Sequence, residues 1–302
     1  MRIATNQYRN QAVSSMLEHQ SELARLQEQA STGHRVNRAS DDPLAVAEAE
    51  RLRSAQARLD IEKRMMSYAR NLMAQSEGVL DNAILSVQSA RDTIIESGNA
   101  IRSESDRKSL AEKISALRNE LLTLANHQDH EGGYLFGGPG ADRQPFSPTQ
   151  APAYQVAPGE RQTGLNVSFL VSLDGSKVFG GFGADGQQTI FQELDEVIGA
   201  LEDPNIGQDR LMGTLQEGMR SVDQTLNRMN TARSSLGEQM RILDSRERVI
   251  GSGELSTARR RSELMDTDYA SVLSDTQSRT VALQAAMQTY TQVSQLSLFN
   301  YL

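Results

Sequence analysis

The sequence predicts a mainly α protein, an elongated antiparallel coiled coil or helical bundle built from both chain ends, with a small β-rich insert between them. Between Ala45 and Ser97, the residues Ala45, Glu48, Leu52, Ala55, Leu59, Glu62, Met66, Ala69, Met73, Ser76, Leu80, Ala83, Val87, Ala90, Ile94 and Ser97 step by alternate threes and fours. Such a 3.5-residue repeat is the seam of a left-handed coiled coil. A second stretch, from about Ile206 to Ile250, spaces Leu215, Met219, Val222, Leu226, Met229, Arg233, Leu236, Met240, Leu243 and Ile250 in the same way. Between the two, residues 126–205 turn to Gly, Pro and alternating apolar positions. At 1.5 Å per residue the first stretch would be a rod of roughly 80 Å, along which the other segments are expected to lie.

Composition agrees with this architecture. Of 302 residues, 38% are hydrophobic and only 5% aromatic, little for one large globular core. A formal charge of -8 disfavours binding to nucleic acid or to an anionic membrane. There are no cysteines, so disulfides and thiolate metal sites are excluded. The opening MRIATNQYRNQ lacks the apolar core of a signal peptide.

In chain order, residues 1–11 are polar, and a helical pattern begins at Ala12 with Val13, Met16, Leu17, Leu23, Leu26 and Ala30. Gly33 and the polar residues up to Ser40 break it, because glycine frees the backbone and Ser and Asn favour turns. Asp41-Asp42-Pro43 then restarts helix, with an Asp cap ahead of proline at the first helical position. In the rod that follows, Met65, Leu72, Val79 and Ile84 widen the apolar stripe in the second half. This predicts two helices at its start and three or four at its end. A return helix over 106–125, with Leu110, Ile114, Leu117, Leu121 and Leu124, should cover that wider face.

In the insert, Tyr134–Phe136, Asn166–Leu173 and Lys177–Phe179 read as strands, with Asp174-Gly175 as a hairpin turn. A short helix with Ile190, Leu194, Val197, Ile198 and Leu201 closes it. The second long helix is expected to stop at Gly251-Ser252-Gly253, with a last helix from about Glu254. The predicted domains are 1–32 with 254–302, the terminal-helix core; 33–125 with 206–253, the long-helix bundle; and 126–205, the insert.

No constellation reads as catalytic, and no cofactor or metal site is expected. His127 and His130 lie three apart without a further ligand pair, and fit a polar helix end. Gly137-Gly138-Pro139-Gly140 lacks the Gly-Lys-Ser/Thr ending of a phosphate loop. Arg259-Arg260-Arg261 and Arg246-Glu247-Arg248 fit solvated helix faces. The segment Leu296 to Leu302 is strongly apolar, which would leave an exposed patch unless neighbouring subunits cover it. The candidate assembly residues are therefore Val13, Met16, Leu17, Leu23, Leu26, Leu283, Met287, Tyr290, Val293, Leu296, Leu298, Phe299, Tyr301 and Leu302. Gly33, Ser40, Asp41, Asp42 and Pro43 form the expected structural turn.

Gln29 through Pro43, QASTGHRVNRASDDP, resembles the N-terminal signature of the bacterial flagellin superfamily, and Leu283-Gln284-Ala285-Ala286 through Leu302 resembles its C-terminal one. The proline after Asp41-Asp42, the Phe-Asn-Tyr-Leu ending and the small insert are more similar to the hook-associated branch than to filament flagellin. That resemblance implies a structural protein at the hook-filament junction that assembles with copies of itself. It implies hook-associated protein 1 and flagellin as neighbours, and an export chaperone that holds the C-terminal helix beforehand. It also implies an extracellular location in the flagellum, reached by type III export without a cleaved signal peptide. A minor filament flagellin is the alternative within the superfamily, and a coiled-coil secreted adhesin is the alternative outside it.

Overall fold

A computed structural model of the chain describes residues 2–98, 103–147, 155–163, 168–181 and 188–299. The elements run α1 (Arg2–Thr32), α2 (Pro43–Ser97), α3 (Glu104–Ala125), β1 (Arg161–Thr163), β2 (Phe169–Ser172), α4 (Gly175–Phe179), α5 (Ile190–Glu202), α6 (Gln208–Met265) and α7 (Tyr269–Phe299). The chain is thus mainly α with a small β-containing insert, as the sequence predicts. Its contacts define two units, Met1–Leu59 with Gly251–Leu302, and Asp60–Ile250.

In the Asp60–Ile250 unit, α2 and α6 run antiparallel. Arg246 bonds Glu62, Arg70 bonds Asp244 and Glu247, Arg233 bonds Asp81, and Arg91 bonds Asp223. Between them lies the predicted seam. From Glu62 to Ser97 every seam residue is buried, and so are the widening residues Leu72, Val79 and Ile84. On α6 the facing row is Leu215, Val222, Met229, Leu236, Leu243 and Ile250, all buried. Ser103 and Asp106 form a capping box that starts α3. α3 then returns antiparallel to α2, since Gln75 lies 3.4 Å from both His127 Nε2 and the Gln128 carbonyl, and Tyr68 donates to Glu131. α5 seats against α3 and α6. Arg118 pairs with Asp195 at 2.8 Å, and a Cβ built on Gly218 would meet Val197 Cγ2 at 2.5 Å.

The insert has its own core. Phe136, Phe146, Phe179 and Phe191 are fully buried, with Phe136–Phe179 and Phe146–Phe191 centroids 5.2 Å apart in edge-on packing. Its only named sheet among the described residues is the antiparallel β1–β2 pair. Here the strand reading is partly corrected. Phe169–Ser172 is a strand, but Asp174-Gly175 is no hairpin turn and Lys177–Phe179 is helical. The Asp174 carboxylate accepts from Ser176 N at 3.0 Å and so caps α4, while its other oxygen accepts from Gly159 N at 2.7 Å. An aspartate that can serve as a helix cap competes with the turn. Tyr134–Phe136 forms only an isolated bridge, Tyr134 with Gln128.

Two helix limits also differ. α1 begins at Arg2 rather than Ala12, because the polar lead-in holds neither Gly nor Pro and helix propagates through it readily. α6 passes unbroken through Gly251-Ser252-Gly253. Nothing lies within 4 Å of a Cβ built on Gly251, and one on Gly253 would make ordinary contact with Leu59, so helix geometry meets no obstacle there.

Candidate assembly site

The other unit joins the inner ends of both terminal helices at one corner. Met265 ends α6, Tyr269 opens α7, and the segment Gly33–Asp42 lies against the bend between them. Arg35 N donates to the Met265 carbonyl at 2.7 Å and Thr267 N to that of Gly33 at 2.9 Å. The Arg35 guanidinium donates to the Leu264 carbonyl at 2.8 Å, meeting a helix-end acceptor that would otherwise be unpaired, and reaches Asp42 at 3.3 Å. Gln29 Nε2 closes the loop on the Arg35 carbonyl at 2.7 Å. His34 Nδ1 stands 3.4 Å from Asp266, and Val36 is buried beneath.

The predicted turn residues each have a place in this clasp. Gly33 has φ 73°, and a Cβ there would stand 3.1 Å from Tyr269 Oη. Ser40 is exposed in the turn that Asp41 N closes on the Arg38 carbonyl at 3.0 Å. The Asp41 carboxylate accepts from the N–H groups of Asn37 and Arg38 at 3.1 and 2.9 Å. Asp42 Oδ1 accepts from Ala45 N at 2.9 Å ahead of Pro43, the first residue of α2. This cap bond is the main reason the Asp42 carboxyl sits below the usual carboxylate range, with Arg35 adding to it against a smaller desolvation effect.

From this corner α1 and α7 leave side by side and pack along each other. Leu26 is buried between elements of this unit, and Met16, Leu23, Leu283 and Tyr290 are half-buried. Leu17 is 61% exposed, Met287 46% and Val13 40%. Val293, Leu296, Leu298 and Phe299 fall on the backbone of α7, and their side chains lie outside the described residues, as do Tyr301 and Leu302 entirely. The sequence reading did not assign the exposed Leu44, Leu255, Leu273 and Val281, nor the roles of Gln29 and Arg35. Leu273 was legible as a helical apolar position, but its exposure was not. Among the described residues, no group of three or more metal-ligating side chains converges and no helix is long and apolar enough to cross a membrane.

Residues 3–140 match the bacterial flagellin N-terminal helical region, which defines the class of helical ends seen here. The flagellar hook-associated protein 3 of Salmonella typhimurium is 30% identical over 316 residues, covering 99% of both chains. The chain therefore belongs to the flagellar hook-associated protein 3 family. Solved structures share the fold. A putative flagellar hook-associated protein from Vibrio parahaemolyticus superposes with a TM-score of 0.69, 18% identity and coverage of 75% of this chain and 100% of that one. The flagellar junction protein FlgL from Legionella pneumophila gives 0.57 at 18% identity, covering 72% and 100%.

Proposed function

We propose that this chain is a structural junction protein of the bacterial flagellum, joining a layer of hook-associated protein 1 to the flagellin filament as an array of identical subunits. The observation that carries the reading is the end-to-end likeness to hook-associated protein 3, which spans 99% of this chain. The paired terminal helices support it, because they carry exposed Val13, Leu17, Leu273, Val281 and Met287 along their length. Burial of such residues between copies contributes about 1.5–3 kcal/mol for each large apolar side chain, a gain that offsets the ordering of long helices only once neighbours are present.

In this reading, residues 1–32 with 254–302 form the tube's inner core, 33–125 with 206–253 the bundle next to it, and 126–205 the outer insert. The protein leaves the cell by the flagellum-specific type III route without a cleaved signal peptide, its C-terminal helix held beforehand by an export chaperone. Its role is structural and not catalytic. Deleting the gene tests this reading. Cells should then make hooks and release flagellin into the medium without building filaments, and a plasmid copy should restore them. Normal filaments in the deleted strain would overturn the junction role and favour a minor flagellin.

A further inference from the structure

Among the described residues, three buried side-chain nitrogens have no hydrogen-bond partner: His19 Nδ1, Arg118 Nε and Arg228 Nε. The two arginines are held through their other nitrogens, Arg118 by Asn119 and Asp195 and Arg228 by Thr225. No such bond holds the His19 ring. Native proteins pair nearly all of their buried polar groups, so an exception of this kind calls for a reason. The α2–α6 bundle follows the rule: Glu62 bonds Arg246, and the Thr93 and Ser97 hydroxyls bond carbonyls one turn back.

His19 stands in the terminal unit, in the row by which α1 packs along α7. Met16, His19, Leu23 and Leu26 step by three, four and three, and each is half-buried or buried. Thr267 N bonds the Gly33 carbonyl where the two helices meet, and equal rise from there sets His19 level with about residue 281 of α7. That level holds half-buried Thr280 and Leu283. The Thr280 hydroxyl is turned to the Thr276 carbonyl of its own helix, and the Thr276 hydroxyl to that of Val272. α7 thus meets the imidazole with an apolar side chain and with hydroxyls already engaged.

A leucine at position 19 would complete the apolar row. The histidine instead keeps a nitrogen dry and unpaired for as long as the two helices are closed, a loss that is recovered when they part and water reaches the ring. A polar side chain inside a helix seam lowers its stability in the same way. The pairing is therefore weaker than the residues around it permit, and the weak point is a single side chain. We propose that His19 is a release point in the α1–α7 pair, which holds the closed form near balance so that the helices part when the chain joins an assembly. The role rests on the junction reading above.

Substitution separates the two halves of the role. In the free full-length chain, His19→Leu should slow proteolysis within α1 and α7 by about tenfold or more, the effect of relieving one unpaired buried group, and His19→Met should act in the same direction. His19→Gln, which keeps a polar group in the row, should leave the rate near that of the wild type. In a deletion strain, with equal amounts of each variant recovered outside the cell, His19→Leu should restore fewer filaments than the wild type or His19→Gln. Proteolysis that is unchanged or faster in both apolar variants overturns the release point, as do full filaments from a His19→Leu chain whose ends are protected. Failure of the wild-type gene itself to restore filaments would overturn the junction reading, and the release role with it.

Discussion

Asp42 serves both parts of the corner at once. One oxygen caps α2 through Ala45 N, and the other faces Arg35, whose guanidinium also holds the Leu264 carbonyl. Asp42→Ala should therefore destabilise the chain through loss of the helix cap, measured as a lowered unfolding midpoint in urea. The pH dependence has a definite sign. Folding depresses this carboxyl, so its contribution is complete above the unfolded carboxylate value and is lost as pH falls through the folded one. Asp42→Asn should flatten that acid-side decline in melts recorded across the range, and an unchanged decline would exclude Asp42 as its source. Gly33 is held by a different constraint. At φ 73° with the Tyr269 hydroxyl close by, Gly33→Ala should destabilise by about 1–2 kcal/mol from the left-handed backbone, also read by denaturation. The clasp was not legible in sequence, because Arg35 and the Leu264 carbonyl that it holds are 229 positions apart. What the sequence did reveal was local: Gly33 as a break, and an Asp-Pro pair as a helix start.

Long periodic elements were the most legible part of the chain. The seam from Glu62 to Ser97 is buried at every predicted position, since a sustained 3.5-residue stripe has one physical solution, another helix alongside. In the Gly251-Ser252-Gly253 stretch the same stripe carries the helix through residues that locally favour a break. Each interior glycine costs about 1 kcal/mol relative to alanine, a penalty a 58-residue helix packed along its length can absorb. The insert was less legible because its strands are short and its order comes from a cluster of four phenylalanines far apart in sequence. Close approach between elements was invisible too, as at Gly218, where α5 and α6 meet. Gly218→Ala would place a methyl against Val197 and should cost about 1–3 kcal/mol by overpacking. Val197→Ala in the same chain should recover part of that loss in thermal melts, whereas additive losses would mean that the two side chains do not share the space.

At the scale of the whole molecule, the terminal helices differ from the bundle in how completely the chain covers them. On α7, Val272 is buried while Leu273, Val281 and Met287 are exposed, so apolar residues lie on more than one face, and one partner helix cannot cover them all. Elements with few buried contacts open at low free energy. Limited proteolysis of the free chain should thus cut first within residues 1 to about 30 and from about 254 onward, and release a resistant fragment within Asp60–Ile250. Full protection of both ends at high dilution would show that they are already stable alone. The apolar segment Leu296–Leu302 lies within the part expected to order on assembly, so its loss should act on assembly rather than on folding. A chain truncated before Leu296 should keep its helical circular dichroism and the same resistant fragment, yet fail to restore filaments in the deletion strain. Restored filaments would locate the necessary contacts elsewhere, while a loss of helix in the free chain beyond the deleted residues would make the segment a folding element instead.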